Sequence, residues 1–445
     1  MEIVVISLFI AIYIISALFF KYALFFYVLF IPIRPLIDVR ILNYIAITEL
    51  FWLIILYYFL HFGIYQEAFQ KIKKSRSLQP LIIFTIIIFM VHFITNIRET
   101  MLANAFMDEQ TSSLWIIFRL LQMFVYIINF IAIMVVLFPN NSYRQLIVNA
   151  MIVSAVVIIL SMILAPALES IGLNVKEPIE YQEQLQGRLT GLFGRGDVNS
   201  ISTFLNILFV FYISRLIILK QPYTLTNIII LATLSVGILY TGSRMGFVTF
   251  AFVLTYYLII THVYQKRILV QTFFSIMFAI LALAFIAAIL YQHDRIGLVF
   301  ERIHEQGLLY EVSAEGHRFN RWVGFINFTL SDLSRTLWGS NEIFYAFKYG
   351  DFRDPHNAFI KIFYYTGIFM ILLYVWGLFL LCISYLKSNL LPHFIPLTVI
   401  VLISMMIISS LGFREYYILS LGILTYDISF NKHEHSSLTY SKLSS

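Results

Sequence analysis

The chain has 445 residues, of which 60% are hydrophobic and 12% charged, with a formal net charge of +6. Soluble domains carry about 25% charged residues, so a large water-exposed domain is excluded and the bilayer is the main solvent. The single cysteine, Cys382, excludes an intrachain disulfide and says nothing of redox compartment.

Apolar runs recur along the whole chain, at 3–19, 22–37, 44–61, 80–97, 114–138, 145–165, 199–219, 225–240, 246–262, 269–291, 357–383, 394–411 and 415–430. Runs of this length can cross a hydrocarbon core. Backbone polar groups in lipid must be satisfied internally, and the runs are apolar on all sides rather than alternating, so helices are expected and a β-barrel is not. The run 22–37 contains Pro32, Arg34 and Pro35 and reads as a short or re-entrant segment, which leaves 12 or 13 spans and an open side for the N-terminus. Met1 to Phe20 lacks a basic start and a small-residue cleavage site, so it reads as a retained first span. The expected fold is an all-α polytopic transmembrane protein, with 1–445 as one integral membrane domain and 357–430 its last spans.

Charge in the connections gives the orientation. Lys71, Lys73, Lys74, Arg76, Arg144, Arg215, Lys220, Lys266, Arg267, Lys387, Lys432 and Lys442 fall in one set of connections, with Glu67 and Glu434 the acids among them. The opposite set carries Asp108, Glu109, Glu177, Glu180, Glu183, Glu305, Glu311 and Asp354. Basic loops stay cytoplasmic, so the acidic set faces outward. The positive charge is therefore explained by topology and not by a nucleic-acid partner. Two outward connections are long: a loop at 166–198, and a larger one at 292–356. In the larger loop Trp322 and Phe325, then Ile326 and Leu330, recur at helical spacing, so one or two amphipathic helices on the membrane surface are expected there.

Four polar clusters sit on that outward side. The first, Gly187-Arg188-Leu189-Thr190-Gly191-Leu192-Phe193-Gly194-Arg195-Gly196-Asp197-Val198-Asn199, has four glycines that allow close backbone approach to a ligand. Arg188 and Arg195 add charge just before a span expected at Ser200, which Asn199 or Ser200 can cap. A plain loop leading into a helix would use the same residues. The second, Tyr240-Thr241-Gly242-Ser243-Arg244-Met245-Gly246, joins two spans with almost no loop and pins Arg244 at the membrane boundary. Snorkelling to headgroups is the simpler role for such an arginine, but an isolated cation on the acidic side runs against the charge bias. The third, His317-Arg318-Phe319-Asn320-Arg321-Trp322, puts Arg318 and Arg321 three apart on one helix face, which fits a solvated face equally well. The fourth, Asp354-Pro355-His356-Asn357, opens the next apolar run with a residue that can titrate near neutral pH. Alone, His356 would be a cap or surface residue.

The combination has a chemical sense. Arginine grips phosphate through two parallel hydrogen bonds and stays charged at any working pH. A pyrophosphate leaving group needs such a clamp where no metal serves. No Asp-x-Asp or His/Cys ligand spacing indicates a metal, so no metal or other cofactor is expected. His356 could accept a proton from an incoming sugar hydroxyl.

At these residues the chain resembles the O-antigen ligase and O-antigen polymerase family of bacterial membrane proteins. The resemblance rests on Gly187 to Phe193 before a span, Gly242-Ser243-Arg244 in a short turn, Arg318 to Trp322 in the large loop, and Asp354 to Asn357 opening the next span, with Gly367 in that helix. It covers roughly the C-terminal 60% of the chain, and the ordered set is more specific than any one motif. It implies a GT-C-like, all-helical glycosyltransferase acting on an undecaprenyl-pyrophosphate-linked oligosaccharide at the outer face of the bacterial cytoplasmic membrane. By position it implies pyrophosphate binding by Arg188, Arg244 and, secondarily, Arg318, with His356 as the base; Arg321 and Asn357 are possible support. Arg195 stands where the family often has a small or amide residue. A chain-length regulator and a flippase of the same pathway are the implied protein partners.

The donor chemistry is common to a polymerase, which extends a lipid-linked repeat unit, and to a ligase, which loads a lipid A core or other acceptor. Arg34-Pro35-Leu36-Ile37-Asp38 resembles the exopolysaccharide and capsule polymerases of the family more than its ligases. A polysaccharide or lipid flippase is the alternative from another class. It would place charges at the bilayer midplane between two repeats, whereas here Glu49 and Arg119 are the main charges expected inside spans.

Overall fold

A computed structural model describes residues 2–33, 40–41, 45–46, 51–74, 78–106, 113–164, 198–221, 224–264, 318–340, 357–386, 391–406 and 414–443. In chain order the helices are α1 (Glu2–Leu18), α2 (Phe20–Phe30), α3 (Phe51–His61), α4 (Ile64–Lys74), α5 (Gln79–Phe106), α6 (Ser113–Ala132), α7 (Asn141–Ile163), α8 (Val198–Ile218) and α9 (Leu225–Tyr240). They continue with α10 (Arg244–Tyr264), α11 (Arg318–Leu330), α12 (Leu333–Trp338), α13 (Ala358–Thr366), α14 (Ile368–Leu386), α15 (Leu391–Met405) and α16 (Arg414–Leu443). A π-helical turn, Ile133–Leu137, extends α6. The described β-structure is one antiparallel pair, β1 (Arg40–Ile41) with β2 (Ile45–Ala46).

Among the described residues, five helical segments are long and apolar enough to cross a membrane: Gln79–Leu102, Ser113–Leu137, Asn141–Ile163, Asn199–Ile218 and Ile368–Leu386. Six shorter apolar helices accompany them. The expected run 269–291 and the loop 166–198 lie outside the described residues, as does most of 292–356.

Two expected spans, 44–61 and 357–383, are corrected, and the helix in 22–37 is short. The run 44–61 is not one helix: Ile45–Ala46 pairs as a strand and α3 begins at Phe51. The run 22–37 is helical as far as Phe30, just before Pro32, whose missing N–H cannot continue the ladder. The run 357–383 is two helices, because Gly367 adopts φ +77 between α13 and α14. A side chain would be strained at that φ. The space is also closed, since a Cβ on Gly367 would strike the backbone of Leu337 and Trp338.

α8 is the central helix. It packs against α7, α9, α10, α15 and α16, and 94% of its apolar window is buried. α14 is its opposite, with 22% of its window buried and Leu372, Trp376 and Phe379 exposed. Without water as solvent, burial is not the test of apolarity here; lipid can cover the exposed face.

Contacts fix how the helices alternate. Near the C-terminal end of α8, Arg215 meets Asp427 of α16, and Arg144 from the first turn of α7 meets the same carboxylate. At the other end, Asn199 meets Ser243 of the α9–α10 turn. Asn199 and Arg215 are 16 residues apart, about 24 Å along a helix. The bundle thus has a basic end, where Lys71, Arg144 and Arg215 lie, and a far end.

Candidate functional site

The far end of α8 is built from small polar side chains. α8 begins at Val198, two or three residues earlier than a cap at Asn199 or Ser200 would allow. Asn199 therefore lies within the first turn, where its carbonyl accepts from Thr203 Oγ1 at 2.8 Å and Ser202 Oγ at 3.2 Å. Its side-chain oxygen accepts from Ser243 Oγ at 2.7 Å. Ser243 Oγ in turn accepts from the Gly246 amide at 3.0 Å, so Ser243 caps the helix that Arg244 opens. Gly242 supplies the reversal before it, with φ +65.

The α8–α10 crossing is tight. A Cβ on Gly246 would lie 2.5 Å from Ser202 Cβ, and Asn206 Nδ2 donates to the Gly246 carbonyl at 3.2 Å. Thr203 Oγ1 bonds Ser404 Oγ of α15 at 2.7 Å. Asn199, Thr203, Gly246, Thr249 and Ser404 line a small crevice between α8, α10 and α15.

The second part of the site is the start of α13. Asn357 is its N-cap: Oδ1 accepts from the amides of Phe359 at 3.0 Å and Ile360 at 3.1 Å. This satisfies donors that a helix start leaves open. α13 is held from two sides. From α5, Glu99 pairs with Lys361 at 2.7 Å, and Arg98 Nη1 donates to the Tyr365 carbonyl at 2.7 Å and to the Trp338 carbonyl. From the large loop, α11 packs Trp322 and Phe325 on Ile360, Tyr364 and Tyr365. The Ser340 amide donates to the Tyr364 carbonyl at 2.7 Å. Within that loop the described residues form α11 and α12, and both pack on α13.

A chain of contacts joins the two parts. Phe359 lies against Tyr374 of α14, with ring centroids 6.2 Å apart. The Tyr374 hydroxyl donates to Met405 Sδ at 3.1 Å, and Met405 follows Ser404, the partner of Thr203. The start of α8, the α9–α10 turn and the cap of α13 therefore belong to one end of the bundle.

The sequence-derived candidates fall unevenly on this frame. Asn357 is a buried helix cap and Arg321 is half-buried on α11. Of Arg244 and Arg318 the backbone alone is described, and each is the first residue of its helix. His356, Arg188 and Arg195 lie outside the described residues.

Several charged residues were missed or misplaced by the sequence reading. Arg144 and Arg215 are not loop cations: their side chains are 4% and 6% exposed and share Asp427, which is fully buried. Arg144 also donates to the Phe138 carbonyl at 2.5 Å, below the π turn. Near the far end, Arg414 pairs with Glu415 at 2.6 Å and lies over the rings of Phe89 and Phe93. Asp427 had a usable signal, an acid inside an apolar run whose neighbouring connections are basic. Arg98 and Glu99, just beyond the run 80–97, had none until α13 was placed beside them.

The bundle and its long apolar helices define a helical membrane protein. No protein-family model matches the chain, and no curated protein or solved structure matches it.

Proposed function

We propose that this protein is a surface-polysaccharide polymerase with a GT-C-like architecture in the bacterial cytoplasmic membrane. It moves a growing glycan from undecaprenyl pyrophosphate to a lipid-linked repeat unit at the outer face, which is the far end of the bundle. In this reading His356 takes the proton of the acceptor hydroxyl. The hydroxyl oxygen bonds to the anomeric carbon of the donor glycan, and the bond from that carbon to the pyrophosphate breaks. Undecaprenyl pyrophosphate leaves with the bonding electron pair, its charge held by Arg188, Arg244 and Arg318.

The observation that carries the reading is the joining of Asn199, Ser243 and Asn357 through Thr203, Ser404, Met405 and Tyr374 at one end of the bundle. Each of these residues adjoins a motif that bears a candidate: the glycine-rich loop, Arg244 and His356. An arginine opening a helix beside the cap hydroxyl of Ser243 also suits phosphate, because amides and charge converge there.

The buried cluster of Arg144, Arg215 and Asp427 raises the transporter alternative again, since charges inside spans mark ion and substrate paths. Its place argues for the enzyme. Arg144 is in the first turn of α7 and Arg215 in the last turn of α8, so both cations stand at helix ends, which favours the enzyme reading.

The test is reconstitution. Purified protein in vesicles, given a lipid-linked repeat unit alone, is expected to form a ladder of lengthening glycans. His356→Ala and Arg244→Ala are expected to abolish the ladder at normal protein level and insertion, and Arg244→Lys to be poor because an ammonium lacks the two-pronged geometry. Transfer that requires a lipid A core acceptor would make the protein a ligase; lipid movement between leaflets without a new glycosidic bond would make it a flippase.

A further inference from the structure

From Arg98 and Glu99 we infer a positioning device: these two residues of α5 set the place of the His356–Asn357 boundary, and thereby the reach of the base. The inference rests on the polymerase reading for its functional consequence, though not for its geometry. α13 has nine residues, too short to hold its own place, and it is cut off from α14 at Gly367. Its register is therefore set by what grips it.

The grip is distributed along the whole helix. Glu99 holds Lys361, one turn beyond the cap. Arg98 holds the last turn through the Tyr365 carbonyl, and the same Nη1 reaches the Trp338 carbonyl at the end of α12. The two carbonyls belong to segments that touch with no intervening side chain: a Cβ on Gly339 would strike the Tyr365 carbonyl, and one on Gly367 would strike that of Leu337. One guanidinium thus fastens the large loop to the break in the α13–α14 rod. The pair Lys361–Glu99 is mostly buried, with side chains 8% and 26% exposed, so its attraction is less screened than that of a surface pair. Adjacent residues of α5 thereby hold the first and the last turn of α13, and with them the cap Asn357, to which His356 is bonded.

The experiment uses the full chain in membranes, with Cys382→Ser as background and His356→Cys as a labelling site. A membrane-impermeant maleimide reports how the boundary is presented, with no need for activity. Arg98→Ala and Glu99→Gln are each expected to change the labelling rate at least about threefold. In the chain that retains His356, turnover at saturating lipid-linked repeat unit is expected to fall about tenfold, with KM moved less than about twofold. Glu99→Asp, which keeps the charge, is expected to recover most of both. Wild-type labelling rates in both Arg98→Ala and Glu99→Gln would overturn the inference. A full glycan ladder from His356→Ala would instead overturn the polymerase reading while leaving the labelling result in force.

Discussion

At the basic end of α8, Arg215 and Arg144 share the fully buried carboxylate of Asp427; at the far end, Asn199 and Thr203 meet the hydroxyls of Ser243 and Ser404. Both ends join α8 to neighbouring helices, yet they use different chemistry. Two guanidiniums on one carboxylate leave a net positive charge away from water, a costly arrangement that persists because its partners are fixed. It ties α7, α8 and α16 at one place. Neutral hydroxyl and amide bonds are individually worth much less and exchange partners at little cost. The end of α8 held by ions is suited to be a frame, and the end of α8 held by hydroxyls to admit a polar ligand, although ion pairs hold the neighbouring α13 and α16. Buried charge in a membrane protein usually marks function; here the buried cluster at the basic end ties three helices together.

The largest expected effect tests that frame. Asp427→Ala leaves two guanidiniums buried without their carboxylate and is expected to destabilise the protein by about 3–5 kcal/mol. Loss of folded, membrane-inserted protein and a lowered thermal midpoint in detergent would register it. A variant as stable as Asn199→Ala would end the contrast between the two ends.

How much of this was legible in the sequence also divides by region. The apolar runs give α6 to α9 closely, because each carries enough uninterrupted apolar residues to settle its own helix, whereas α5 continues to Phe106, well past its run. They fail at 44–61 and 357–383, where composition is right but the backbone is not. At Gly367 the decision is made by the carbonyl of Leu337, a partner distant in sequence. Ser243 was legible as a turn residue because turn chemistry is local, whereas the cap of α13 is Asn357, one residue past the histidine read as a cap. The Arg144–Asp427–Arg215 cluster was not, since charge counting treats each cation as a loop marker and carries no information about which acid it meets.

The next effect sharpens the far end. Gly246→Val places a branched side chain where Ser202 already stands, at the α8–α10 crossing. Overpacking of this kind costs about 1–3 kcal/mol. The crossing also aims the first turn of α10, so glycan extension is expected to fall more than stability does. The measurement is ladder formation per folded molecule, using thermal midpoint for normalisation; loss in strict proportion to folding would make Gly246 a packing residue alone.

Asn357→Ala is expected to be milder for the fold. It removes one acceptor from the amides of Phe359 and Ile360, a loss of about 1 kcal/mol for an N-cap. Because α13 stays gripped by Glu99 and Arg98, the helix should persist and its first turn should fray. Asn357→Asp restores an acceptor and should recover the stability. Amide exchange confined to 357–361 would show the fraying; a loss spread through α14 would mean that the cap, and not the grip from α5, holds this region.

The smallest effect is the control on charge itself. Glu67 and Lys71 of α4 pair at 2.5 Å, closer than Arg144 and Asp427 at 2.7 Å, so by distance alone the α4 pair should matter more. Exposure reverses the order. The α4 side chains are 49% and 41% exposed, against 4% and 0% for the pair in the bundle. Water and salt screen the first pair, one helical turn apart, to about 0.3–0.5 kcal/mol. Lys71→Ala should accordingly shift the thermal midpoint little, and added salt should erase the shift, while the defect of Asp427→Ala should survive salt. A Lys71→Ala defect as large as that of Asp427→Ala would mean that α4 has a role in the bundle beyond its surface pair.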